Sequence, residues 1–363
     1  MKKGVKWWVP KLGKHEERYL KRVFDAHFPN DGPLTKEFED KIAKRLRCKH
    51  AVAVPNATSG MFMSLKALGI GHGDEVIVPD ITFVATANAV EMTGAKPVLV
   101  DVSRKDFNIS PASVKKAVTK NTKAIIPVHV TGRIASMPEI LQIAKKNDLH
   151  VVEDAAEALM SKKDGKFAGT FGKTGCFSFS PNKTITTGQG GMIVTDDSKL
   201  HTRLIELKDQ GRPKRGTGGD DIHDSIGYNF KFTDLQAAVG LGQLHYLDER
   251  IARMKKTYQI YQNGLEDCRG ISVVETEKDE VPQWTDILAD KRKELDAFLL
   301  KNGIEYRRYW HPIHRQRPYK MPDSNFNESV FVSGHALWLP SSYSITDEEV
   351  RQVIDAILSF SMQ

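Results

Sequence analysis

The chain has 363 residues, 40% hydrophobic and 27% charged, a composition with room for two compact units. Its net charge of +7 is spread along the whole length among Glu and Asp, with no recognised nucleic-acid motif beside it, so a small anionic ligand is expected rather than nucleic acid. No run nears the roughly twenty apolar residues of a membrane span. The basic start, Met1 to Pro10, lacks the apolar core of a secretory signal. Cys48, Cys176 and Cys268 are scattered and odd in number, so neither a disulfide framework nor a Cys-x-x-Cys metal site is expected, and a reducing cytoplasm is the natural setting.

In chain order, short apolar, β-branched runs at 51–55, 75–79, 97–102, 123–130, 150–153, 175–180 and 191–195 predict buried strands of one sheet. Helical patterns lie between many of them, at 61–68, 83–93, 110–118 with Ser110 as N-cap, and 138–147. This alternation predicts an α/β fold with a mostly parallel sheet of seven strands in a large domain, residues 1–240. From Thr233 to about Glu266, Leu235, Ala238, Leu241, Leu244, Leu247, Ile251 and Met254 recur every three to four positions. That spacing predicts one long amphipathic helix, bridging to a smaller C-terminal domain, 241–363, with a loop at 276–280 and helices at 290–302 and 346–360. The Gly216–Gly219 stretch, flanked by Arg212, Lys214 and Arg215, reads as a mobile basic loop.

Ligands of such sheets collect at the carboxyl ends of strands, where several chemically capable residues fall. Asn56-Ala57-Thr58-Ser59-Gly60 follows a strand and opens a helix, so its N–H groups and the helix dipole suit either a phosphate or an ordinary cap. Phe83 starts a helix after a strand and serves either to stack on a planar ring or to fill the core. Asp154 ends an apolar run, where a carboxylate needs a cation, be it a pyridinium nitrogen or a structural Lys or Arg. Glu157 would share a helical face with it. Lys183, in Phe177-Ser-Phe-Ser-Pro-Asn-Lys-Thr-Ile-Thr-Thr-Gly-Gln-Gly-Gly191, pairs with Asp154 as a Schiff-base lysine pairs with the carboxylate that keeps a pyridine ring protonated. The pair therefore reads as a pyridoxal phosphate site, to which the Ser178 hydroxyl adds a phosphate contact or, on its own, a bond to backbone. His311-Pro-Ile-His314 lacks a third ligand at a useful spacing and has Pro312 inside, so a substrate or interface contact is expected there and no metal.

With these residues in place the chain resembles the DegT/StrS group of pyridoxal phosphate-dependent sugar aminotransferases of fold type I. The resemblance runs through Gly32 to Glu39, Gly73 to Pro79, Val128-His129, Glu153 to Ala156, Phe171-Gly172, Asn182-Lys183, Gly227 to Asn229 and Leu339-Pro340. It implies Lys183 as Schiff-base lysine and general base, Asp154 as partner of the ring nitrogen, Glu157 at the ring hydroxyl and Phe83 as stacking ring. It further implies Ala57, Thr58 and Ser178 at the phosphate, with Asn229 reaching in from the neighbouring subunit of a homodimer. His129, Arg307, His311 and His314 fall where substrate-side residues are common.

The expected reaction carries an amino group from L-glutamate to a keto sugar, most similar to the C4 amination of a GDP-linked 4-keto-6-deoxy sugar. Gln189, Thr131, Ala57 and Pro181 depart from that subgroup's pattern and leave the nucleotide and the ketone position open. A 3-keto or non-nucleotide sugar, and a non-catalytic regulatory member of the fold, are the alternatives. The presence of both Lys183 and Asp154 speaks against the regulatory one.

Overall fold

The computed structural model describes residues 4–213 and 222–362. Seven strands form the main sheet: β1 (His50–Val54), β2 (Glu75–Pro79), β3 (Lys96–Val100), β4 (Thr122–Ile125), β5 (His150–Asp154), β6 (Thr174–Ser178) and β7 (Gly191–Thr195). Their order is β1-β7-β6-β5-β4-β2-β3, and β7 alone runs against the rest. Side chains alternate between faces along a strand. Ala51 and Ala53 accordingly enter one apolar cluster while Val52 and Val54 enter another, so both faces are covered. This is why the strands read as unbroken apolar runs.

Helices supply those covers. α1 (Lys14–Ala26) and α2 (Pro33–Leu46) precede the sheet, and α3 (Ala57–Ala67), α4 (Ala85–Glu91), α5 (Pro111–Ala117) and α6 (Met137–Lys146) are crossovers. Ser110 caps α5 as expected, its hydroxyl accepting from Ser113 N–H at 3.3 Å. α1, α2 and α7 (Ser198–Lys208) lie outside the periodic patterns noted in the sequence.

The long helix expected from Thr233 is two: α8 (Asp234–Leu244) and α9 (Leu247–Gly264). At the junction the His245 and Tyr246 N–H groups bond three residues back, to Gly242 and Gln243, which tightens the turn and redirects the chain. Both residues keep right-handed angles, so the apolar spacing passes through the break undisturbed.

A second, antiparallel sheet contains β8 (Ile271–Val273), β9 (Thr285–Ala289), β10 (Arg307–Arg308) and β11 (Ala336–Leu339), in the order β8-β9-β11-β10. α10 (Arg292–Lys301) and α12 (Asp347–Ser361) match the helices expected there, and α11 (Asn327–His335) is additional. The first described residues belong with this unit rather than with the large one: Val5 bridges to Ile304 and is buried in its core. Trp7 stacks near Trp284 and Trp338, the ring centroids 5.5 and 6.3 Å away. The Gly216–Gly219 loop lies outside the described residues.

Candidate active site

The carboxyl ends of β1, β2 and β5 border a cavity of about 380 Å³. After β1 come Asn56, Ala57 and Thr58. The Asn56 side chain accepts from Ser59 N–H at 2.8 Å, capping α3 and leaving the Ala57 and Thr58 N–H groups without an acceptor inside the helix. Gly191 on β7 backs this turn so closely that a Cβ there would sit 2.5 Å from the Asn56 carbonyl carbon and 2.7 Å from Ala57 N. Ser178 and Ser180 complete that end of the cavity.

Asp154, at the end of β5, is 5% exposed. Burial raises its pKa. Thr86 Oγ1, donating at 2.8 Å, and Ala156 N–H, at 3.1 Å, oppose the rise, Glu157 adds to it and Lys183 opposes it. The net upward direction marks a carboxylate short of a positive partner, a need that a protonated ring nitrogen meets. Phe83 borders the same cavity and is 55% exposed, so it does not fill the core.

Lys183 follows a turn closed by its own N–H on Ser180 C=O at 3.1 Å. Its Nζ donates to Glu157 Oε1 at 3.1 Å and lies 4.8 Å from the centre of the Trp284 ring. The other Glu157 oxygen accepts from Thr131 N–H at 3.0 Å. Arg307, on β10, reaches the cavity edge with its guanidinium over the Trp7 and Trp338 rings at 5.3 and 5.5 Å.

Eight residues named from the sequence thus converge: Ala57, Thr58, Phe83, Asp154, Glu157, Ser178, Lys183 and Arg307. Four do not. His129 is fully buried away from the cavity: Ala135 N–H donates to its Nδ1 at 3.2 Å, so Nε2 carries the proton and donates to Glu153 Oε2 at 2.8 Å. Its neighbour Val128 faces the cavity instead, as alternation along extended chain requires. His314 is also fully buried, its ring nitrogens 2.6 Å from Asp80 and 3.0 Å from Asp323 and its ring stacked on Phe326. His311 lies in a separate basic groove with Arg308 and Arg315. Asn229 is exposed and bridged to Asp209, outside its own chain's cavity.

Sequence reasoning missed Thr86 and Trp284. Thr86 stands three residues after Phe83, a helical spacing that could have revealed it. Trp284 comes from 101 positions beyond Lys183, and nothing local points to it.

The sheet order, the capped α3 start and the placing of Asp154 and Lys183 on one cavity can be compared with solved structures. DesV of S. venezuelae, determined in complex with a ketimine intermediate, superposes with a TM-score of 0.95 at 30% identity, covering 99% of both chains. DesI, determined in the presence of its TDP-sugar product, gives a TM-score of 0.91 at 28% identity over 100% of this chain and 94% of that one. The chain belongs to the DegT/DnrJ/EryC1/StrS aminotransferase family, whose pattern matches residues 10–358. Among curated relatives, GDP-perosamine synthase of Escherichia coli O157:H7 is 35% identical over 364 residues, 99% of each chain. The protein is therefore an enzyme, a sugar aminotransferase of that family.

Proposed function

We propose that the enzyme uses pyridoxal 5'-phosphate to move an amino group from L-glutamate to a nucleotide-linked 4-keto-6-deoxy sugar, in the making of an amino sugar for a surface polysaccharide or other glycan. The observation that carries this reading is the meeting of Lys183 Nζ, the under-compensated Asp154 carboxylate and the open N–H groups of α3 around one cavity. The nucleotide and the C4 position are supported by the GDP-perosamine synthase relative, and a nucleotide-linked product by DesI.

When bound, the cofactor supplies an electron-withdrawing ring that acidifies the carbon bearing the substrate's amine. Asp154 Oδ1 and Oδ2, held by Ala156 N–H and Thr86 Oγ1, keep the ring nitrogen's proton in place. The Ala57 and Thr58 N–H groups and the Ser178 hydroxyl take the phosphate, where the helix dipole favours an anion. Phe83, on the cavity wall, would stack on the bound ring and limit its contact with water. Lys183 Nζ, kept near by Glu157, would take the proton from the α-carbon of the amino donor and, with the keto sugar bound, deliver one to the sugar carbon that receives the amino group, which is why an amine free to become neutral is needed there. Arg307, the cavity-edge cation, suits an anionic substrate group. Asn229, exposed and not among the residues lining its own cavity, would complete that of a second subunit in a cytoplasmic homodimer.

The test is the absorbance of purified protein with pyridoxal phosphate before and after L-glutamate, beside Lys183→Ala, followed by GDP-, dTDP- and UDP-linked keto sugars. Conversion of the lysine-bound band to the amine form in the wild type alone supports the reading. An identical response in Lys183→Ala overturns it. Turnover of a 3-keto or nucleotide-free sugar in preference to the 4-keto substrates would overturn the choice of acceptor.

A further inference from the structure

Lys183 sits on a loop of the large sheet that Trp8 and Arg250 hold at the Pro181 and Thr184 carbonyls, yet the side chain bonded to both residues flanking Lys183 comes from the segment leading into the second sheet. Gln283 is 1% exposed. Its Nε2 donates to the Asn182 carbonyl at 3.1 Å, while its Oε1 accepts from Thr184 N–H at 3.3 Å and Thr184 Oγ1 at 2.8 Å. One amide thereby holds both residues that flank Lys183. The next residue, Trp284, places its ring against Nζ. Asp286, at the second position of β9, accepts from Thr131 Oγ1 at 2.6 Å and pairs with Arg133.

Thr131 closes the loop of contacts. It adopts a φ of +50°, unusual for a β-branched residue. Its N–H goes to Glu157 Oε2 at 3.0 Å and its carbonyl accepts from Gln283 N–H at 2.9 Å. Lys183, Glu157, Thr131 and Gln283 form a closed ring, returning to Lys183 through Asn182 and Thr184. A lysine side chain carries considerable rotamer freedom. Fixing its root from both sides and its tip through Glu157 removes that freedom where proton transfer needs a set geometry.

We propose that Gln283 is a positioning residue for Lys183, with Asp286 securing Thr131 as the second anchor of the same ring. This rests on Lys183 being the group that moves the proton. Gln283 does not border the cavity, so its loss leaves the substrate's own contacts in place.

The experiment uses the full-length, cofactor-loaded protein carrying Gln283→Met or Gln283→Glu, with single-turnover conversion by L-glutamate followed by absorbance. A first-order rate is independent of the fraction of active sites, so a folding defect lowers the amplitude and leaves the rate. The expected result for Gln283→Met is a rate roughly 100-fold lower, the loss typical of a misplaced reacting group, with KM for L-glutamate within about threefold of wild type. Gln283→Glu keeps the acceptor for Thr184 and loses the donor to Asn182. Its rate should recover as pH falls and the carboxyl regains a proton.

In the cofactor-free protein, trace acylation with acetic anhydride, read by mass spectrometry, compares Lys183 with the exposed Lys120. Release of the brace should raise the Lys183-to-Lys120 ratio several-fold. A wild-type single-turnover rate with only a reduced amplitude, or an unchanged labelling ratio, overturns the proposal. Conversion by Lys183→Ala would instead remove the functional reading beneath it, whatever the Gln283 variants do.

Discussion

Gly191→Ala probes whether the start of α3 is the anion cradle. The new Cβ would stand 2.5, 2.7 and 2.8 Å from Asn56 C, Ala57 N and Asn56 O, all main-chain atoms that no rotamer change can clear. Ordinary contact begins at 3.4 Å, so β7 and the helix start must part by about 0.9 Å. Neither yields readily, because β7 is buried throughout and paired on both sides, and α3 is buried along most of its length. Overpacking of this kind costs about 1–3 kcal/mol. At about 2.1 cal/mol/K of unfolding entropy per residue, a loss of ~2 kcal/mol lowers the Tm of the 363-residue chain by roughly 3 °C.

The functional effect should be larger. Charge-assisted hydrogen bonds contribute about 1.5–3 kcal/mol each, and losing ~2 kcal/mol from the phosphate contacts weakens binding roughly thirtyfold. The assay is a fluorescence titration of pyridoxal phosphate, made in a Lys183→Ala background so that the covalent bond does not mask the change. Gly188→Ala is the control. Gly188 has a φ of +80° and nothing within 4 Å of a Cβ, so that change strains the backbone by about 1–2 kcal/mol and leaves α3 in place. Wild-type affinity in Gly191→Ala, or an equal loss in Gly188→Ala, refutes the reasoning.

Two further outcomes follow from buried charge. Asp154 has a folded-state pKa raised above its unfolded value, chiefly by burial, so the stability it costs is absent below the usual carboxylate range, grows as pH rises from there to the raised pKa and is fully present above it. Asp154→Asn should therefore raise the Tm of the cofactor-free protein at neutral pH, the gain shrinking as pH falls, while the loaded protein shows the reverse order; a lower Tm without cofactor contradicts this. His314→Leu removes the ring partner of Asp80 Oδ2 and leaves that carboxylate, whose pKa burial already raises, with the main-chain N–H of residue 314 on Oδ1, and should cost about 3 kcal/mol by thermal unfolding. That defect eases in acid as Asp80 protonates, and the single-turnover rate of the folded fraction stays near wild type, whereas a substrate-side His314 would lower the rate.

The strands of the large sheet were legible because burial on both faces demands continuous apolar runs, which local composition records: the runs at 75–79 and 191–195 coincide with β2 and β7. Asp154 stood out for a related reason, since a carboxylate ending such a run needs a partner, and Lys183 was read from its pairing with it. The break between α8 and α9 was not, because a turn tightened by three-residue bonds keeps helical angles and so keeps the apolar spacing. The resemblance marked His129 and His314 as substrate-side candidates, but where their rings lie depends on alternation along the chain and on partners at Glu153, Asp80 and Asp323. The sequence by itself determined the strands of the sheet and the small-residue turn that opens α3, each encoded within a few neighbouring positions. Only the tertiary structure decided that Thr86 holds Asp154, that Trp284 lies against Lys183 and that Gln283 braces its loop, because hydrogen bonds and ring contacts between segments some seventy to a hundred positions apart leave no local trace.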